Sequence, residues 1–383
     1  MSRRSVLIQQ STNLFIFSVF AFCYIFLNIP GPGAWISDST FQMYDLIYKS
    51  LLYSSVIFYV LVNVLYSFRQ LPRTVIWIAV IGFPLALLFN ILFVFYILVF
   101  MAAFFCVKNI KSGCFSYNIL KLSVILSLFF AFLQALYFRS EDGRPALSFI
   151  DPNFSAFYVF ILFCISYILR MRLVMMFCFV LGMFMLSRAF LLAVVVFIFI
   201  ERIRLIFYFA RCFKLSHPFI MVLCSLFLVF AVGTALRTFG GNDVADYDSG
   251  ISRFSTVNDG SNRLRFQLND QFLNALTQSH ELQFRGVTRE YYTSNYAPLI
   301  PHNGFFEFVR INGLLLAVIF ISFVFLTLLN NSTKSTFPFI FSYILYLCFL
   351  PIIPAGISLM LVSVVYAVIL NKSEVTRVSY NCS

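Results

Sequence analysis

Apolar residues run along this chain in blocks of roughly 17–25, parted by short charged or polar stretches, the spacing of helices that cross a bilayer. The first block, residues 13–29, follows Ser2-Arg3-Arg4 and leads into Pro30-Gly31-Pro32-Gly33 with no clear small-x-small cleavage site. It therefore reads as a retained helix and not a cleaved leader. The second block is 46–66, followed by Arg69 and Arg73. Residues 74–107 are too many for one span and barely enough for two. Arg69 and Arg73 precede them and Lys108 and Lys111 follow. If positive residues stay on the cytoplasmic side, the stretch crosses twice, with a tight hairpin near Pro84 to Asn90. One tilted helix is the alternative.

The fifth span is predicted at 118–138, an outer loop at 139–153, and the sixth span at 154–169 before Arg170 and Arg172. Two short arms, 173–186 and 189–200, flank Ser187-Arg188. The cations and aromatics of 201–214, ERIRLIFYFARCFK, predict an interfacial helix. A ninth span at 219–236 precedes the longest polar stretch, 237–303. A tenth follows at 305–329. Residues 337–370, broken by PIIPAG, read as two short crossings. The expectation is an all-α, polytopic helical membrane protein of about twelve spans, with both termini cytoplasmic. Residues 1–236 and 304–383 form its membrane domain, and 237–303 form one long outer loop between spans nine and ten. No internal repeat is visible, which speaks against a transporter built from inverted halves.

Composition sharpens this reading. Hydrophobic residues make up 61% of the 383 and charged ones 11%, against about 25% charged in a soluble domain. A soluble enzyme, a disordered chain and a disulfide-rich secreted domain are excluded. The net charge of +12 suggests nucleic acid until it is placed on the topology. Sixteen Lys and Arg fall on the cytoplasmic side with Glu201 and Glu374, giving +14. Ten Arg and Lys49 fall outside with thirteen acids, giving −2. The excess is the positive-inside bias of an inner-membrane protein, and nucleic acid drops out as a partner. The nine cysteines lie in spans or cytoplasmic segments and read as small apolar fillers. No Cys/His spacing suggests a metal site.

Charges at the membrane edge need a reason. Arg188 sits between two short arms, and reads either as a snorkelling hairpin tip or as an anion site facing a cavity. The long loop carries Arg237, Arg253, Arg263, Arg265, Arg285 and Arg289 and no lysine. Arginine's planar fork suits bidentate contacts to phosphate oxygens, although six arginines among seven acids also fit a salt-bridged surface. His302, in PHNGFFEFVRING, is the histidine best set to take a proton from a hydroxyl; capping or packing at the membrane edge is its other reading. Asp151 with Pro152 reads as a helix cap. Glu307 either pairs with Arg310 at i,i+3 or orients a substrate. There is no DxD pair, phosphate loop or HExxH helix.

Several pieces, in order, resemble the O-antigen polymerase and O-antigen ligase superfamily of bacterial envelope glycan transferases. They are Asp151-Pro152-Asn153 at the start of a span and Ser187-Arg188 between two spans. SNRLRFQL with Arg263 follows in the long outer loop, then FRG around Gly286. His302-Asn303 with Glu307 and Gly313 completes the set. The resemblance covers roughly residues 140–320. It implies a metal-independent, cofactor-free glycosyl transfer at the periplasmic face of the inner membrane. Donor and acceptor would be undecaprenyl diphosphate-linked oligosaccharides, with a chain-length regulator as a further partner. Carried over by position, Arg188 and Arg263 would hold the diphosphate. Arg265 and Arg289 would substitute for Arg263 or add to it, and Arg144 of the outer loop joins this set. His302 would activate the acceptor hydroxyl, with Glu307 beside it. The polymerase is the favoured member. The ligase, which moves finished polymer onto lipid A-core, is the first alternative. A flippase or transporter for lipid-linked oligosaccharide is an alternative of another class, although its charges would sit mid-span and not at one face.

Overall fold

The computed structural model describes residues 3–26, 38–67, 73–140, 143–147, 151–202, 260–330, 335–350, 352 and 356–381. These residues are helical nearly throughout. The helices are α1 (Arg3–Phe20), α2 (Asp38–Ser67), α3 (Arg73–Phe89), α4 (Phe93–Lys111), α5 (Tyr117–Tyr137), α6 (Pro152–Ile168), α7 (Arg172–Phe184) and α8 (Arg188–Arg202). After the undescribed 203–259 come α9 (Gly260–Gln278), α10 (His280–Phe284), α11 (Arg289–Asn295), α12 (Gly304–Asn312), α13 (Leu314–Asn330), α14 (Phe337–Phe349) and α15 (Ile357–Asn381).

Three stretches are long and apolar enough to cross a membrane: Ser5–Tyr24, Phe93–Lys111 and Tyr117–Tyr137, of 20, 19 and 21 residues. Seven further apolar helices are shorter. Large apolar side chains such as Leu65, Leu87, Leu173 and Phe177 stand more than half exposed. An apolar surface of that kind belongs in lipid, and the chain is a helical membrane protein.

Four boundaries depart from the sequence expectation. The first helix starts at Arg3, ten residues before the predicted 13–29. Its polar residues are satisfied inside the bundle: the Ser11 and Thr12 hydroxyls donate to the Ile8 carbonyl at 2.9 and 2.8 Å. The predicted tenth span is broken, because Gly313 takes φ +80° and separates α12 from α13. The described part of the long loop, 260–303, is folded into α9, α10 and α11. The last helix runs through the predicted tail to Asn381. The ninth span, most of the interfacial helix and residues 237–259 lie outside the described residues; Glu201 and Arg202 close α8.

The predicted hairpin is present, with α3 and α4 meeting at Asn90. Its side-chain oxygen accepts from the Leu92 amide at 3.1 Å and starts α4. The α7–α8 hairpin closes tightly because Gly182 has no side chain; a Cβ there would lie 2.2 Å from the Phe190 ring.

Buried α15 packs along α4 and α6. Its Leu359–Leu370 face is buried all round, as a helix surrounded by others requires. Its Asn371 donates to the Ile110 and Lys111 carbonyls at 2.8 and 3.2 Å, capping the end of α4. Polar side chains also pin α1, α2 and α4 together. The Asn109 amide nitrogen lies 3.1 Å from Thr12 Oγ1, 3.0 Å from Tyr59 Oη and 2.8 Å from Asn63 Oδ1. All four residues are buried, so they satisfy one another where no water is at hand.

The bundle therefore has two distinct ends. Lys108, Lys111, Arg170, Arg202 and Lys372 mark one. Asn90, Arg144, Asp151, Ser187 and Asn303 gather at the other.

Candidate functional site

The site grows from the helix starts at this second end. Asp151 takes the extended conformation before Pro152 and accepts from the Asn153 and Phe154 amides at 2.7 and 3.3 Å. It is a helix cap, as the sequence suggested. Capping leaves the Asn153 side chain facing the α7–α8 hairpin, where Ser187 Oγ donates to Asn153 Oδ1 at 3.2 Å. Ser187 Oγ in turn accepts from the Phe190 amide at 3.4 Å. Arg188 is the first residue of α8 and half-buried, so its guanidinium starts from the electropositive end of a helix.

The hairpin tip is strained. Leu186 holds φ +48°, a left-handed conformation that costs a branched residue about 1 kcal/mol. Its carbonyl accepts from Arg144 Nη1 at 3.5 Å. Arg144 is placed by a two-residue bridge between Arg139 and Pro145 that closes the outer loop. Arg144, Asn153, Ser187 and Arg188, scattered over some 45 positions, thus meet at one place.

The second part of the site is built from residues 284–313. Asn303 caps α12, accepting from the Phe305 and Phe306 amides at 2.9 and 3.3 Å. The next residue must be glycine, since a Cβ on Gly304 would lie 2.1 Å from the Ile352 carbonyl. That contact presses His302-Asn303 against the chain after α14. Within α14 itself, Tyr346 Oη reaches the Ala156 carbonyl at 3.5 Å and Ser342 Oγ donates to the Ala193 carbonyl at 3.1 Å. His302 is half-buried, with its Nδ1 turned inside.

Glu307 does pair with Arg310. Nε donates to Oε2 at 2.7 Å and Nη2 to Oε1 at 2.8 Å, and both side chains are under 10% exposed. Arg310 Nη1 also donates to the Val287 carbonyl at 2.5 Å, while the Val287 amide donates to the Arg310 carbonyl at 2.6 Å. Gly286 and Gly313, at φ +74° and +80°, let the two segments touch. A Cβ on Gly286 would sit 2.2 Å from the Ile311 carbonyl. Asn90 completes the junction, donating from one amide to the Ile311 carbonyl at 3.0 Å and toward that of Arg285 at 3.4 Å.

The remaining predicted residues are placed as follows. Arg289 is the first residue of α11 and exposed. Arg263 and Arg265 lie on the first turns of α9, their side chains outside the described residues. Asn90 and Val287 were not anticipated. A lone asparagine at the turn between two apolar runs was the available signal for the first; backbone contacts leave none for the second. Among the described residues no group of three His, Cys, Asp or Glu could hold a metal ion. Outside the spans, the Glu290 carboxyl is held below its ordinary value by its own backbone amide and the Thr288 hydroxyl. Tyr291 is pushed up to about 12 by its hydrogen bond to Glu281. No protein-family model, curated protein or solved structure matches the chain.

Proposed function

We propose that the protein is a metal-independent glycosyl transferase of the O-antigen polymerase kind, seated in the bacterial inner membrane with both termini cytoplasmic. It moves a growing glycan from its undecaprenyl diphosphate carrier onto the next lipid-linked repeat unit. The observation that carries this reading is the Ser187–Asn153 hydrogen bond. It joins two separate motifs beside Arg188, and Arg144 reaches the same hairpin through the Leu186 carbonyl.

The chemistry fits such a pair. The acceptor hydroxyl oxygen attacks the anomeric carbon, the bond from that carbon to the diphosphate oxygen breaks, and the diphosphate leaves on its lipid. The leaving group needs charge stabilisation more than a proton, and fixed arginines at a helix start supply it. His302 accepts the hydroxyl proton. Glu307, held by both oxygens to Arg310, acts in this scheme as a strut and not as the base.

The test is chain length on lipopolysaccharide gels after complementation of a deletion strain. Arg188→Ala and His302→Ala should each abolish long glycan chains while the protein still inserts. Wild-type chain lengths in both variants would sink the reading. A deletion that leaves a single repeat on the core supports the polymerase. Bare core with polymer left on the carrier points to the ligase instead.

A further inference from the structure

The lysine-rich end of the bundle carries a cavity remote from the site above. Its volume is about 190 Å³, and its walls include Tyr167, Ile168, Phe197, Glu201, Ile369 and Lys372. Tyr167 and Ile168 come from the last turn of α6, Phe197 and Glu201 from the later turns of α8, and Ile369 and Lys372 from the middle of α15. We propose that it holds the headgroup of an ethanolamine phospholipid, with the primary ammonium on Glu201 and the phosphate beside Lys372.

The argument starts from charge. A carboxylate and an ammonium share the wall of one small cavity, anchored on different helices. Tyr167 Oη donates to Glu201 Oε2, and Lys372 Nζ donates to the Ile168 carbonyl. Each charge is tied to a neighbour on another helix, and the two also attract one another across the cavity. A plain anion would meet Glu201 and a plain cation would meet Lys372. A group carrying both charges a few bonds apart meets a partner for each. Arg170, at the α6–α7 turn, adds positive charge near Lys372.

Size and depth point the same way. A pocket for a drug-sized molecule runs to roughly 300–1,000 Å³, so this one suits a headgroup and little more. Phe197, Ile168 and Ile369 supply an apolar wall for the glycerol and first methylenes. Lys108, Lys111, Arg170, Arg202 and Lys372 lie at this end, the pattern of a membrane–water boundary, which is where phospholipid headgroups lie. A primary ammonium can donate hydrogen bonds to Glu201, which the quaternary ammonium of a choline headgroup cannot.

The experiment uses the full chain in nanodiscs of ethanolamine, choline and glycerol phospholipids with identical acyl chains. Native mass spectrometry reads the retained lipid. The ethanolamine lipid should be retained about tenfold over the choline lipid, and Glu201→Gln and Lys372→Gln should each erase that preference. Equal retention of all three lipids overturns the proposal. So does a preference that survives both substitutions, and so does a preference for the glycerol lipid, which marks a plain anion site. Should the charge variants fail to fold, soluble phosphoethanolamine is titrated onto the wild-type complex at millimolar concentration. Displacement of the bound lipid supports headgroup recognition, and its failure overturns it. Retention needs no catalysis, so this outcome is separate from that of the transferase reading.

Discussion

Glu307 and Arg310 offer the most exacting prediction, because a strut and a catalytic acid respond oppositely to the same substitution. Arg310 makes two buried side-chain bonds to Glu307 and a part-buried one to the Val287 carbonyl. Removing one member of a buried pair costs about 3–5 kcal/mol, since the other charge is left uncompensated. Glu307→Gln keeps one acceptor but not the charge, so it falls near the lower figure. Arg310→Met strands Glu307 and falls near the upper. The double variant Glu307→Gln/Arg310→Met carries no stranded charge, and its orphaned Val287 carbonyl costs about 1–3 kcal/mol. The singles would together cost about 6–10 kcal/mol, so the pair is strongly coupled. Melting can be followed with a thiol-reactive dye, because Cys23, Cys106, Cys164 and Cys178 are buried. At about 2 °C per kcal/mol, the lower end for larger chains, each single variant should melt roughly 6–10 °C low and the double should recover most of that. Activity in Glu307→Gln should fall only with the folded fraction. Wild-type melting with lost activity would refute the strut and make Glu307 a catalytic group. A double variant as unstable as the sum of the singles would refute the coupling.

Other expectations follow from the same contacts. Gly286→Ala must move the Ile311 carbonyl, so it should reduce the yield of monodisperse protein far more than Gly113→Ala, which shares the φ of +74° but meets nothing within 4 Å. Asn90→Ala orphans the Ile311 carbonyl and should lower stability by about 1–3 kcal/mol in the same melting assay; no shift would show that water replaces the amide. A double-mutant cycle on Ser187→Ala and Asn153→Ala should give a coupling of about 0.5–1.5 kcal/mol, and additivity would deny the contact. Glu290 has a depressed folded value, so its contribution is present above the unfolded value of 4.5 and is lost as pH falls through the folded one. Glu290→Gln should therefore flatten the acid limb of the stability profile, and an unaltered limb would refute the assignment.

The legible parts of the fold were those written in charge and apolar length. The α3–α4 hairpin followed from cations on both flanks of one long apolar run, and the Asp151 cap from Pro152 behind it. The break at Gly313 was hidden because residues 305–329 are mostly apolar, with Glu307 and Arg310 near the start; the Asn312-Gly313 dipeptide, a turn signal, was outweighed by length. The helices within 260–295 had a faint mark in Leu268, Phe272 and Ala275, all buried and spaced for one helix face. Ser279 and Thr288, which cap α10 and α11, were visible as residue types but not as boundaries. In the site, the pairing of Glu307 with Arg310 was readable because both lie on one helix three residues apart. The Asn109 cluster was not, since it joins three helices, and no local pattern encodes which apolar faces will meet.

The Asn90 junction also sets an order of assembly. Its two carbonyl partners lie 195 and 221 residues further along the chain. The hairpin is therefore made long before either exists. Its amide must stay hydrated at the surface until residues 285–311 emerge and dock. Contacts of such sequence separation are slow to form, so the last quarter of the protein, which includes the buried α15, completes the bundle after the hairpin is made. A chain truncated before residue 285 should insert its early helices normally and still lack the clamp that shapes this end of the molecule.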